Sequence, residues 1–406
     1  MNHRIVRRDF LRIAALAALA PGRDVIAART QVAGGRLLGT LPLGGQGAQP
    51  APPFGRVLGS GLDARLFTDL STLTPETLVT PNERFFIRTA YPATLSGADS
   101  TDSPADSRSV RLQADRALQS WTIDLGGLVR APRAVSIESL GHLVRPMGTH
   151  VLECAGNTNP TNFGLISAAR WDGVPLAALL DLVAARSDVV RIAVSGVDDL
   201  TQRSQTSVPG ASWIFSRDDL QRAGAFLATR MNGAPLPRDH GSPVRLVVPG
   251  WYGCACIKWV DRVDLVPDDA SATPQMIEFA RRTHQPGQPA LAREFTPALI
   301  DAAAMPVRVE KWTAAGRIVY RIVGILWGGS KPTNALLIRF KSSQPWAPVD
   351  DCPMPAETTA WTLWSHVWRP ETPGRYEIVL RVNDPAVETR RLDLFFYTRE
   401  VQIEDV

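Results

Sequence analysis

The chain has 406 residues, 45% hydrophobic and 21% charged, an ordinary globular composition with length enough for two or more cores. The net charge of +4 is mild and the basic residues are spread out, which argues against nucleic acid as a partner. The four cysteines, Cys154, Cys254, Cys256 and Cys352, form no Cys-x-x-Cys pair, so zinc ribbons, thioredoxin-type redox pairs and covalent haem attachment are unsupported.

The first thirty residues read as an address. Arg7-Arg8-Asp9-Phe10-Leu11-Arg12 precedes an apolar run from Ile13 to Ala20. This resembles a twin-arginine export signal, with cleavage expected near Ala28, and implies a periplasmic protein that folds before export. The run is too short to span a bilayer, and no other segment is apolar enough to cross one. Residues 31–80 begin with a Gly-, Pro- and Ala-rich stretch and are expected to form a linker or extended arm.

A mixed α/β region is expected over 81–285. Phe85 to Arg88, Trp121 to Leu125, Val151-Leu152, Val189 to Val194, Val244 to Val248 and Ile257 to Val266 read as strands. Ala93 to Ser109 reads as a polar surface loop. Leu176, Leu179, Leu180 and Val183 stand at helical spacing, which predicts an amphipathic helix over 174–183. Cys254 and Cys256, one residue apart, are expected on alternate faces of a strand.

From about residue 290 the pattern changes. Val307 to Trp312, Ile318 to Trp327, Ala335 to Phe340, Thr359 to Trp368, Tyr376 to Val382 and Leu392 to Tyr397 are strand-like and separated by turn residues. Successive strands without helices predict a β-sandwich over 290–406. The fold class is therefore α+β.

Three segments carry candidate chemistry. Cys154 follows a strand and precedes Ala155-Gly156-Asn157, small residues that allow a tight turn and the approach of a bulky ligand. A thiolate there can ligate a soft metal, although an inert buried thiol has the same sequence pattern. His240 and Arg245, five apart beside Gly241 and Pro243, can present donors to a phosphate or polar ring, or serve as turn and strand-face residues. Lys258, in Cys256-Ile257-Lys258-Trp259, is one of only four lysines and the only one before residue 311. In an arginine-biased chain, one compact ammonium points to a task that a planar guanidinium does not perform.

Together these segments resemble the sulfite oxidase family. The resemblance runs through Glu153-Cys154-Ala155-Gly156-Asn157, Ser167 to Leu176, Met231 to Gly241, Pro243 to Gly250 and Ile257-Lys258-Trp259, in the family's order, and covers roughly residues 80–400. Ala360-Trp361 to Trp364 and Pro373 to Tyr376 are similar to its terminal domain. The resemblance implies a sulfite-oxidase-type molybdopterin domain followed by an immunoglobulin-like domain that makes a homodimer. It implies molybdenum and molybdopterin as cofactors, with Cys154 as the metal ligand and Arg88 near the metal. Thr89, Asp198, His240, Arg245, Cys256, Ile257 and Lys258 are then cofactor contacts, the lysine against cofactor oxygens.

The sequence also departs from that pattern. Thr158-Asn159 stand where the family carries arginines for an anionic substrate, and Thr89-Ala90 replace its Asn-His. No tyrosine occurs between Lys258 and Tyr320, where an active-site tyrosine is expected. His284 lies in the comparable part of the chain and is expected to face the metal as an acid/base or substrate contact. The implied activity is oxygen-atom transfer involving sulfite, a related sulfur compound or a small oxo-anion. Electrons are exchanged with a separate carrier such as a c-type cytochrome. The alternatives are a sulfoxide or oxyanion reductase of the same family, or a non-catalytic secreted β-sandwich that binds no metal.

Overall fold

The computed structural model describes residues 32–44, 54–95, 120–158, 163–183, 188–204, 207–355, 357, 359–394 and 397–406. The expected export signal and most of the expected 93–109 loop lie outside the described residues. Among the described residues no helix is long and apolar enough to cross a membrane.

Two five-stranded sheets frame the first half. In one, Arg145–Glu153 pairs with Ile166–Pro175, which pairs with Phe226–Met231; the latter also pairs with Ala234–Pro235 and Arg245–Val247. Every pairing in this sheet is antiparallel. In the other, the order is Arg133–Ser136, Thr122–Gly127, Val260–Val266, Arg191–Gly196, Ser212–Ser216, with only the Thr122–Gly127/Val260–Val266 pairing parallel. The predicted helix forms over Leu176–Asp181, where Leu176, Leu179 and Leu180 are buried. A second short helix, Pro274–Phe279, starts at Thr273, whose side chain accepts from the Met276 N–H, with proline in the first turn.

The second half consists of two antiparallel four-stranded sheets. Gly35–Leu41, Ala303–Ala314, Arg317–Trp327 and Thr362–Trp368 form one, and Ala347–Pro348, Leu336–Arg339, Gly374–Val382 and Arg399–Ile403 the other. Arg317–Trp327 is buried along nearly its whole length, which explains its almost unbroken apolar sequence. One apolar core, from Phe67 to Ile403, runs through both halves without a break.

Three sequence expectations change. The described part of the expected 31–80 arm, residues 32–44 and 54–80, is not a free linker: Gly35–Leu41 completes a sheet of the second half, and Leu62, Leu66, Phe67, Leu70 and Leu73 enter the core. Burying these side chains outweighs the loop-like Gly/Pro content around them. Cys254 and Cys256 do not alternate on a strand; Gly253–Ala255 is a 3-10 turn and both thiols are buried. Leu392 to Leu394 is a turn rather than a strand, and the final strand of the second half is Arg399–Ile403.

Candidate active site

A cavity opens between the two sheets of the first half, and Cys154 lies on its wall, buried, in the turn that leaves Arg145–Glu153. The turn is closed by the Asn157 N–H donating to the Cys154 carbonyl at 2.9 Å. The Gly156 N–H donates to Sγ at 3.3 Å. An N–H aimed at the sulfur suits a thiolate, the form that binds metals.

Guanidinium groups lie within electrostatic reach of this sulfur. The two-residue ladder Arg65–Leu66/Ile87–Arg88 sets Arg65 opposite Arg88. Both lie within electrostatic reach of Cys154 and of Arg282. A Cβ at Gly156 would stand 3.7 Å from Cys154 Sγ and 3.8 Å from an Arg282 guanidinium nitrogen, so the glycine keeps the space between them open. Arg65 is anchored by donating to the carbonyls of Leu62 and Ala64 at 3.0 and 2.7 Å, and Arg88 by donating to Leu62 and Ser207. Burial pushes Arg65 down to about 10, with the Arg88 charge adding to it. Burial also lowers Arg88, opposed first by Cys154 and then by Glu278. Both remain cationic at neutral pH.

The opposite wall contains the other candidates. Gly196, where a Cβ would stand 2.0 Å from the Lys258 carbonyl, lets the Asp198 loop cross the Lys258 backbone. Asp198 lines the cavity and accepts from the N–H groups of Asp199 and Gly210, both at 2.8 Å. Lys258 also lines it, but its Nζ donates to the carbonyls of Arg88, Thr89 and Asp239 at 3.1, 2.5 and 2.8 Å. Burial pushes this amine well below its ordinary value, yet three carbonyl acceptors require three N–H groups and hold it as an ammonium. The stem keeps some exposure while the head is enclosed. Lys258 thus ties the Arg88-Thr89 segment to the Asp239 turn, and its donors are directed at protein oxygens rather than at a ligand. Thr89 is held at φ 75°, a left-handed conformation unusual for a β-branched residue.

His240 is buried, and its Nε2 lies 3.0 Å from the Asn82 carbonyl. Burial pushes it down to about 3, so it is neutral, and Nε2–H is the donor. Gly241 follows at φ 109°, a conformation reserved for glycine. Arg245 donates to the carbonyls of His240 and Cys256 at 3.0 and 3.1 Å, while its buried Nε has no partner. Cys256 Sγ accepts from the Val248 N–H at 3.4 Å, and the Ile257 carbonyl accepts from Leu246 at 2.7 Å. Both residues line the cavity.

His284 does not line the cavity that holds Cys154. It caps the Arg281–Thr283 turn at φ 58°, its side chain is 60% exposed, and its Nδ1 lies 3.4 Å from Asp301 Oδ2. The left-handed cap turns it away, and Arg282, two residues earlier, reaches toward Cys154 instead. Sequence reasoning missed Arg65, Arg282 and Glu278. Glu278, on the Pro274–Phe279 helix, accepts from the Val208 N–H at 3.0 Å, and its other oxygen is buried without a partner. The Arg281-Arg282 pair beside His284 was the one available signal; Arg65 gave none.

The residues fit a bulky anionic cofactor with a soft metal. The Cys154 thiol lines an open space together with Cys254, Cys256 and Arg88, and Arg245 Nε and Glu278 Oε1 are a buried donor and acceptor left for a ligand.

Residues 109–273 match the family model described as the oxidoreductase molybdopterin binding domain. The chain is 29% identical over 349 residues to sulfite oxidase of Gallus gallus, covering 77% of this chain and 68% of that one. It is 29% identical over 279 residues to mitochondrial sulfite oxidase of Homo sapiens, covering 63% and 49%. The chain therefore spans about two thirds of the length of the first relative and about half of the second. Its fold matches the sulfane dehydrogenase SoxCD of Paracoccus pantotrophus with a TM-score of 0.59 at 18% identity, covering 88% and 91%. The chain therefore carries a molybdopterin-binding oxidoreductase domain and is similar, over most of its length, to the sulfite oxidases.

Proposed function

We propose that the protein is a periplasmic enzyme that oxidises a small anionic sulfur compound, sulfite or a close relative of it, at a molybdenum centre bound through Cys154. The observation that carries this reading is the buried Cys154 thiol on the wall of a cavity that Arg88 also lines, with Arg65 paired opposite Arg88 and the Arg282 guanidinium close to Gly156. Sulfite oxidases bring cationic groups to the substrate from the segment after the cysteine; here Thr158 stands there, and Arg65 and Arg282 supply the charge from other parts of the chain. Guanidiniums bind oxyanions by charge-assisted forks, and burial strengthens the attraction. Both relatives' names, sulfite oxidase and sulfane dehydrogenase, refer to sulfur compounds.

When bound, the cofactor supplies oxygen-atom transfer and two-electron exchange. The chain's own residues bind the anion, orient it toward Sγ and restrict water. Arg245 Nε offers the cofactor a donor, and Lys258 fixes the Arg88-Thr89 wall. Among the described residues no cluster of three or more His, Cys, Asp or Glu side chains could hold a metal ion, in keeping with a metal whose other ligands come from the pterin. The Arg7-Arg8 leader directs export, a soluble c-type cytochrome takes the electrons, and the two-sheet second half is an immunoglobulin-like dimerisation unit.

The test is to assay purified protein with sulfite and an electron acceptor, and separately with sulfoxides and a reduced dye, alongside Cys154→Ser. We expect sulfite-type oxidation by the parent and loss of both molybdenum and turnover in the variant. Retention of metal and turnover by Cys154→Ser would falsify the ligation, and turnover only in the reducing direction would reverse the assigned reaction.

A further inference from the structure

Glu153 immediately precedes Cys154, is 1% exposed and does not line the cavity. Its carboxylate is gripped from the second half of the chain. Arg390 Nη1 donates to Oε1 at 2.9 Å and Nη2 to Oε2 at 2.7 Å, a two-bond fork. Trp327 Nε1 donates to Oε2 at 2.8 Å. On the near side, Asn157 Nδ2 donates to Oε1 at 3.4 Å, while the Asn157 N–H closes the turn onto the Cys154 carbonyl. One carboxylate therefore joins both ends of the Cys154 turn to a cation and an indole of the other unit.

The same guanidinium also touches the second wall. Arg390 lies 5.3 Å from the Tyr252 ring and 5.7 Å from the Trp327 ring, and Nη1 donates to the Tyr397 hydroxyl at 2.9 Å. Tyr252 leads directly into the Gly253–Ala255 turn, which carries the cavity-lining Cys254. Gly253 packs on the Glu153 backbone, where a Cβ would stand 3.2 Å from the Glu153 carbonyl oxygen.

We propose that the Arg390–Glu153 pair is a clamp through which the two-sheet second half positions Cys154 and the Tyr252–Cys254 wall. The pair acts on geometry more than on total stability, because a buried ion pair offsets much of its own attraction with desolvation. Its planar fork and fixed partners define one orientation of the residue next to the ligand sulfur. Arg390 and Glu153 are positioning residues, not catalytic ones. The inference rests on Cys154 as the reactive thiol of the site, but its test does not depend on turnover.

The experiment uses the full chain. In cofactor-loaded protein, amide hydrogen exchange is followed in peptides covering 152–158 and, as a control, 260–266, a strand remote from the pair in sequence. In full chain made without molybdate, alkylation of Cys154 by a small neutral reagent is timed by peptide mass spectrometry. Arg390→Met is expected to raise both exchange at 152–158 and alkylation at least tenfold, with the control peptide within twofold. Arg390→Lys, which keeps the charge but not the fork, should restore less than half of the lost protection. Should Arg390→Met fail to fold, Trp327→Phe, which removes one donor to Oε2, should still raise alkylation several-fold. Unchanged Cys154 reactivity in the variants that fold, or equal loosening of the control peptide, would overturn the clamp. A clamp that passes while Cys154→Ser retains metal would refute only the ligation.

Discussion

Replacing Lys258 by methionine keeps the length of the side chain and removes the donor that now lies 3.1, 2.5 and 2.8 Å from the carbonyls of Arg88, Thr89 and Asp239. A carbonyl left without a partner in a buried place costs about 1–3 kcal/mol. Three such groups set the gross loss, but the ammonium's own desolvation penalty disappears with it and water in the cavity can reach some of the oxygens. The net loss expected is about 2–4 kcal/mol. Part of it comes from Thr89, whose backbone at φ 75° is held by the bond from Lys258 to its carbonyl. A left-handed non-glycine residue stores about 1–3 kcal/mol. Thr89→Gly in the Lys258→Met background should therefore recover about 1 kcal/mol. Lys258→Arg should not rescue, because a planar fork cannot meet three carbonyls arranged around one compact nitrogen. Urea denaturation followed by tryptophan fluorescence gives the stabilities, and molybdenum per chain gives the consequence for the site. If Lys258→Met unfolds within about 0.5 kcal/mol of the parent, below the cost of even one unmet carbonyl, and keeps its full metal content, the ammonium does not organise this wall.

Three further expectations follow from the same geometry. If the proposed anionic sulfur substrate is held by Arg282, Arg282→Met should raise its KM about tenfold or more with a smaller effect on kcat, as loss of a charge-assisted contact does; an unchanged KM would place the anion elsewhere. His284→Asn, which tolerates the left-handed backbone, should leave turnover within about twofold of the parent, and a large drop would restore His284 to the site. His240 is held neutral, its folded value pushed down to about 3 by burial. The unfolded chain titrates near 6.5 and takes up a proton that the folded chain refuses, so this group's contribution is complete above that value and is lost as pH falls. The loss accrues at up to about 1.4 kcal/mol per pH unit. Denaturation between pH 7 and 4 should show a shallower slope for His240→Gln, and an equal slope would mean that His240 is protonated in the folded chain.

The order of the short motifs already pointed to the family, because each turn needs small residues at set places for the backbone to approach a large ligand. The Cys154 turn was legible in this way, as were most strands of the second half, where apolar runs are separated by turn residues, but not Gly35–Leu41 or Arg399–Ile403. The scarcity of lysine singled out Lys258, but not what it binds: sequence shows the presence of a donor, not the direction of its hydrogens. Arg65 and Arg88 meet through a two-residue ladder too short for any periodicity to reveal. Arg282 was overlooked in favour of His284: it is itself an exposed residue, and only the approach of its guanidinium to Gly156 sets it near Cys154. The grip of Arg390 on Glu153 joins positions 237 residues apart. Local patterning, set by period and turn chemistry, is written in the chain itself, whereas the pairing of Arg65 with Arg88 and of Arg390 with Glu153 exists only once distant segments pack and burial decides which charges must find one another.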